Sequence, residues 1–326
     1  MAGSRTSRPA WFGVVPVILY RVGSALLTLF LVSAVVFTIS GLLPGDAAQE
    51  ILGQSATPEQ VAALRHEMGL DRSAVTRYFE WLVAIITGDP GMSYVANMPV
   101  AEIISDRLPN TLKLAGITAV VSVVIALTIG VVSAINRGGR IDKALNVLTL
   151  SLVATPEFLA ATLGVLLFSV TLLWLPSISL VSDDASWGEM LRSLALPILS
   201  LTSVVVAQMA RMTRAAVADQ LDRPYVEMAR LKGVPFARIV LFHVMPNAIG
   251  PVVNAVALSL SYLFGGALIV ETIFNYPGLA SLMVNAVTSR DMPLLQSCAM
   301  IFCGTYLAMV LVADVIAILA NPKLRA

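Results

Sequence analysis

Arg211–Pro246 reads RMTRAAVADQLDRPYVEMARLKGVPFARIVLFHVMP. It is the longest polar interruption in the second half of a very hydrophobic chain. It sets Arg211, Arg214, Arg223, Arg230, Lys232 and Arg238 against Asp219, Asp222 and Glu227. Apolar segments long enough to span a bilayer lie on both sides, and a plain connection between two spans needs far fewer residues. The stretch therefore reads as a docking element for a partner, with the rest of the chain as the pathway it controls.

Composition agrees with a membrane setting. Of 326 residues, 57% are hydrophobic and 13% charged, against about 45–50% and about 25% in soluble domains. Arg5, Arg8 and Arg21 precede a first span at 22–43, which ends in LLPGD rather than at a cleavage site for a signal peptide. Residues 44–110 form a small extramembrane helical subdomain. In TPEQVAALRHEMG, Thr57 and Gln60 form a capping box, Pro58 suits the first turn and Gly69 ends the helix. Val75–Ile86 reads as an amphipathic helix and GDPGMSY as turn chemistry. A five-helix core at 111–320 follows. Its spans are expected at 112–135, 144–174, 195–212, 247–271 and 293–319, with 213–246 as the loop and 321–326 as the tail. The third span is interrupted at ATPEFLA, because proline bends a helix.

Charge then orients the chain. The N-terminal segment 1–21, the loop 136–143, the opening stretch and the tail hold 14 of the 21 Lys and Arg. The positive-inside rule places that side, with both termini, in the cytoplasm. Residues 44–110 carry nine acidic groups and face outside.

No GxxxxGK[ST], HExxH or GxSxG occurs, so the chain is not expected to be an enzyme. Cys298 and Cys303 share no helical face and read as small buried hydrophobes, and His66 and His243 have no companions at metal-ligand spacing. No metal, no cofactor and no nucleic-acid partner is expected. Glu157, Gln208, Asn254 and Glu271 are polar groups near membrane depth, candidates to line a pathway or to make helix-packing hydrogen bonds. Asp314 reads as a structural pair within the bundle.

EMARLKGVPFARIVLFHVMP, from Glu227 to Pro246, resembles the EAA loop of binding-protein-dependent ABC importer permeases. Glu227, Ala229, Gly233, Ile239 and Pro246 occupy the matching places, while Met228 stands where the first alanine is usual. LLPGD, GDPGMS, DRLPNTLKLA, VETIFNYPGLASLMVNAVTSRDMPLLQ and the closing NPKLR extend the resemblance, in order, over nearly the whole chain. They look like the B-type permease of dipeptide, oligopeptide and nickel importers. Asn321 and Lys323 depart mildly from the usual close.

The resemblance implies an all-α membrane protein with the six-helix ABC type I importer permease fold in a bacterial inner membrane. It implies a second, C-type permease, two ATP-binding subunits that hold ATP and magnesium, and an extracytoplasmic substrate-binding protein. Coupling to the ATPases would run through Tyr225, Glu227, Met228, Ala229, Lys232, Gly233 and Pro246. The cargo implied is a peptide; nickel complexes or another small solute stay open, as does a self-sufficient secondary transporter. Against the last stand the lack of an inverted repeat between the two halves and the scarcity of ion-coupling charges.

Overall fold

The computed structural model describes residues 11–42, 47–53, 56–180 and 185–320. Residues 43–46 of LLPGD, Arg5, Arg8, the pair Asp183–Asp184 and the closing NPKLRA lie outside the described residues.

Helix α1 runs Trp11–Leu42, followed by the short helices α2 (Ala47–Leu52), α3 (Pro58–Glu67) and α4 (Ala74–Thr87). The capping box at α3 is present: Gln60 N donates to Thr57 Oγ1 at 3.3 Å, and Thr57 N to Gln60 Oε1 at 3.0 Å. α5 spans Val100–Ile135, starting well before the expected 112, so 100–110 belongs to a long helix rather than to the subdomain. Pro109 lies inside it without ending it.

The third span breaks within ATPEFLA, the stretch where its interruption is expected. α6 (Arg140–Ala154) and α7 (Glu157–Gly164), which continues π-helically over Val165–Thr171, meet at 102°. The cause is local. Thr155 precedes Pro156 and takes an extended conformation, φ −86° and ψ 121°, as residues before proline do. Pro156 then opens α7.

α8 covers Trp187–Leu221. It continues past the expected end at 212, because MTRAAVADQL contains no breaker and buries Thr213, Val217 and Ala218. The first third of the opening stretch is thus the end of a span. α9 (Pro224–Leu231) and α10 (Phe236–Ile239) follow, the latter continuing through a π-helical turn into α11 (Met245–Ile273). α12 (Leu279–Thr288) and α13 (Met292–Ala320) close the described chain. Among the described residues five helices are long and apolar enough to cross a bilayer, six with the bent pair counted as one span.

α8 is the central helix, packed along α5 and α11. α5 carries small buried residues at helical spacing, Ala115, Thr118, Ser122, Ala126, Gly130 and Ala134, and Ser122 Oγ lies 3.3 Å from Thr202 Oγ1 of α8. At Gly130 a Cβ would lie 2.8 Å from Ala210 O and 2.6 Å from Thr213 Cβ. Between lipid-embedded helices close backbone approach of this kind supplies the attraction, since tails are as apolar as the side chains. α1 stands at the periphery against α13. Arg21 pairs with Asp314 at 3.0 Å and Gln296 donates to Ser40 Oγ at 2.5 Å.

Candidate coupling site

The part of the opening stretch that leaves the bundle is small. Arg223 lies extended, Pro224 takes the first turn of α9, and two turns follow. Val226 and Ala229, one turn apart, are 1% and 8% exposed and pack onto Val217, Ile239, Val244 and Ala248. The opposite face is open: Met228 is 54% and Leu231 76% exposed, with Glu227 and Lys232 exposed beside them. Phe236 is partly exposed on the next helix, and the Arg230 guanidinium lies 5.3 Å from its ring centroid. Glu227 in the first turn and Arg230 in the last match the helix dipole.

Gly233 ends α9 in a Schellman arrangement. Its φ is +74°; its N–H donates to Arg230 O at 2.9 Å, and Val234 N donates to Ala229 O at 3.1 Å. Pro235 then starts α10. The Tyr225 hydroxyl lies 3.1 Å from Gln220 Oε1 and 3.4 Å from His243 O, tying α9 to its flanks, and burial raises its phenol from the ordinary value. Pro246 sits apart, exposed in the first turn of α11.

Near the end of α8, a few residues before α9, lies a network that the linear motif does not announce. Asp142, 3% exposed, accepts from Arg214 Nε at 2.7 Å and Nη2 at 2.8 Å, from Ser133 Oγ at 2.5 Å, from Gly138 N at 2.9 Å and from Asn146 Nδ2 at 2.7 Å. Arg137 pairs with Asp222 at 2.5 Å. One carboxylate thus joins the end of α5, the start of α6 and the end of α8. Arg214, which reads in the sequence as one more loop cation, is a bidentate structural partner. Its visible signal was the tight RGGRID turn, with a carboxylate in the first turn of α6.

The four pathway candidates separate. Glu157, half-buried at the start of α7, lies against α11 so closely that a Cβ on Gly266 would strike its carboxylate. Gln208 is exposed on α8 although its neighbours Ala207 and Met209 are buried, and Asn254 is half-buried on α11. No hydrogen bond links the four among the described residues. Glu271 makes hydrogen bonds between helices, the second of the two roles its polarity suggested. It is fully buried and accepts from Thr111 Oγ1 at 2.6 Å, Ala280 N at 2.8 Å and Ser281 N at 3.1 Å. Its carboxylate caps the N-terminus of α12, in the space a Cβ on Gly278 would fill.

Residues 126–326 match the family described as binding-protein-dependent transport system inner membrane component. Residues 14–115 match the N-terminal region of the membrane components of such systems. A peptide transport system permease protein of Brucella abortus (strain 2308) is 36% identical over 309 residues, 94% of this chain and 98% of that one. The glutathione transport system permease protein GsiC of Escherichia coli (strain K12) is 36% identical over 298 residues, 91% of this chain and 95% of that one. Among solved structures, a chain of the MetNI methionine ABC transporter in an inward-facing conformation matches with a TM-score of 0.53 at 18% identity. The match covers 67% of this chain and 96% of that one.

Proposed function

Since the chain belongs to the family of binding-protein-dependent transport system inner membrane components, we propose that it forms half of the translocation pathway of an ATP-driven peptide importer and takes its drive through α9. The observation that carries the proposal is the open face of α9. Met228 and Leu231 stand exposed on a short helix whose other face is locked to the bundle, flanked by Glu227 and Lys232. An apolar centre with a charged rim is how protein interfaces are built.

In this reading both termini and α9 lie in the cytoplasm, where two ATP-binding subunits bind ATP and magnesium. A second permease completes the pathway, and an extracytoplasmic binding protein delivers the peptide. Closure of the ATPases on ATP draws the two α9 helices together and biases a two-state packing of the bundle toward outward opening. Hydrolysis resets it. Tyr225 and the Schellman end make α9 a rigid handle, and the Asp142–Arg214 network passes its displacement to α5, α6 and α8. Glu157, Gln208 and Asn254 remain the pathway candidates.

The test is co-purification of the tagged permease with its ATPase subunits, alongside uptake of a labelled dipeptide. Replacing Met228 and Leu231 by aspartate is expected to abolish both recovery of the ATPases and uptake, with membrane insertion intact. Full recovery of ATPases by the double variant would count against α9 as the seat. ATP-dependent uptake that dipeptides do not compete would count against the peptide assignment.

A further inference from the structure

α4 carries an apolar face that none of the described residues covers. Val75, Phe79, Val83 and Ile86 are 66%, 53%, 59% and 76% exposed. At 100° per residue they fall on one stripe. The charges of α4 lie off it: Glu80 pairs with Arg72 at 3.0 Å, and Arg77 lies over the Phe37 ring. The opposite face of α4 packs on α1. The Tyr78 hydroxyl is 2.8 Å from Ser33 Oγ, its ring stacks edge-on with Phe30 and Phe37, and Trp81 meets Phe37 at 5.6 Å.

Two contacts between α1 and α13 give the depth of this packing. Arg21–Asp314 marks one end of the pair and Ser40–Gln296 the other. They stand 19 residues apart on α1 and 18 on α13, roughly 28 Å at 1.5 Å per residue, close to the ~30 Å of a bilayer's hydrocarbon. Ser33 lies about 10 Å inside the Ser40 level. Around that level α1 itself exposes the apolar side chains of Phe30, Leu31, Val35 and Ile39.

We infer that α4 is a membrane-interface helix: its Val75–Phe79–Val83–Ile86 stripe lies on phospholipid, continuous with the lipid-facing side of α1. The depth of the Tyr78 anchor, the aromatic residues at the boundary and the absence of charge on the stripe all fit an amphipathic helix seated in the headgroup and upper acyl region. On this account the stripe is not a seat for a soluble binding protein, and it holds the subdomain at a fixed height over α1 and α13.

The experiment places photo-reactive benzoylphenylalanine at Phe79 and at Ile86, and at Glu59 of α3 as a control, in the assembled transporter in native membrane vesicles. After illumination, mass spectrometry of the α4 peptide is expected to show phospholipid adducts at 79 and 86, and none at 59. Cross-links from 79 or 86 to another protein subunit would overturn the inference. The unsubstituted transporter gives a second measurement by hydroxyl-radical footprinting. Protection of Phe79 is expected, and its loss on delipidation; oxidation of Phe79 in intact vesicles would also overturn the inference.

Discussion

At Glu271 three groups depend on one side chain: the Thr111 hydroxyl and two N–H groups of the first turn of α12. Leu279 N in turn donates to Thr111 Oγ1 at 2.8 Å, so α5, α11 and α12 share the same centre. Removing the carboxylate leaves buried donors without acceptors, which costs more than the net worth of the bonds, about 1–3 kcal/mol for each group stranded. Glu271→Ala is therefore expected to lower the thermal midpoint of the purified complex by several degrees and to raise hydrogen exchange across Leu279–Thr288. Glu271→Gln retains an acceptor oxygen and is expected to lose less. Equal loss in both variants would contradict the capping role. Asp142 makes a parallel case with a different partner. Arg214 grips it through Nε and Nη2, a fork that lysine cannot reproduce. Arg214→Lys is expected to behave nearly as badly as Arg214→Ala in ATP-coupled uptake, and normal uptake by the lysine variant would contradict the bidentate reading.

Among the elements, α5 and α8 set the bundle. At Gly130 the two helices pack closely, and no side chain fits there without moving Ala210 or Thr213. Gly130→Val is expected to destabilise the complex by about 1–3 kcal/mol, the usual cost of overpacking. Gly23 of α1, with nothing within 4 Å of a built Cβ, is expected to tolerate the same change. Detergent-resistant assembly of the two variants, compared side by side, checks this. The elements also show where local reading works. Thr57 with Gln60, Gly69, the Thr155–Pro156 break and Gly233 are decided by neighbours within a few residues, and each has the geometry its neighbours dictate. The continuation of α8 through 213–221 was hidden because its polar residues read as loop. What keeps it helical is tertiary, the burial of Thr213, Val217 and Ala218 against other helices. The Asp142–Arg214, Glu271–Thr111 and Asp291–Ser93 contacts join residues 72, 160 and 198 positions apart, and no spacing rule in a single chain reaches that far.

For the whole molecule, the charge pattern and the helices combine into one picture of drive and response. The polar handle α9 and its network stand at one end of α5, α8 and α11. Asp291, which holds Ser93, Tyr94 and Val95 of the subdomain and caps α13, belongs with the other end. Motion imposed at α9 thus has a continuous path of packed helices to the loops where a binding protein would release its cargo. The proposed importer needs that path to be stiff, and stiffness at α9 begins at Gly233, whose φ of +74° strains any β-branched residue. The most direct measurement is the number of dipeptides taken up per ATP hydrolysed by the reconstituted complex, for the native chain, Gly233→Asn and Gly233→Val. The account predicts that Gly233→Asn stays close to native, since asparagine adopts the left-handed conformation readily, while Gly233→Val loses uptake and keeps ATP hydrolysis. An unchanged ratio in Gly233→Val would contradict the claim that transport is driven through α9.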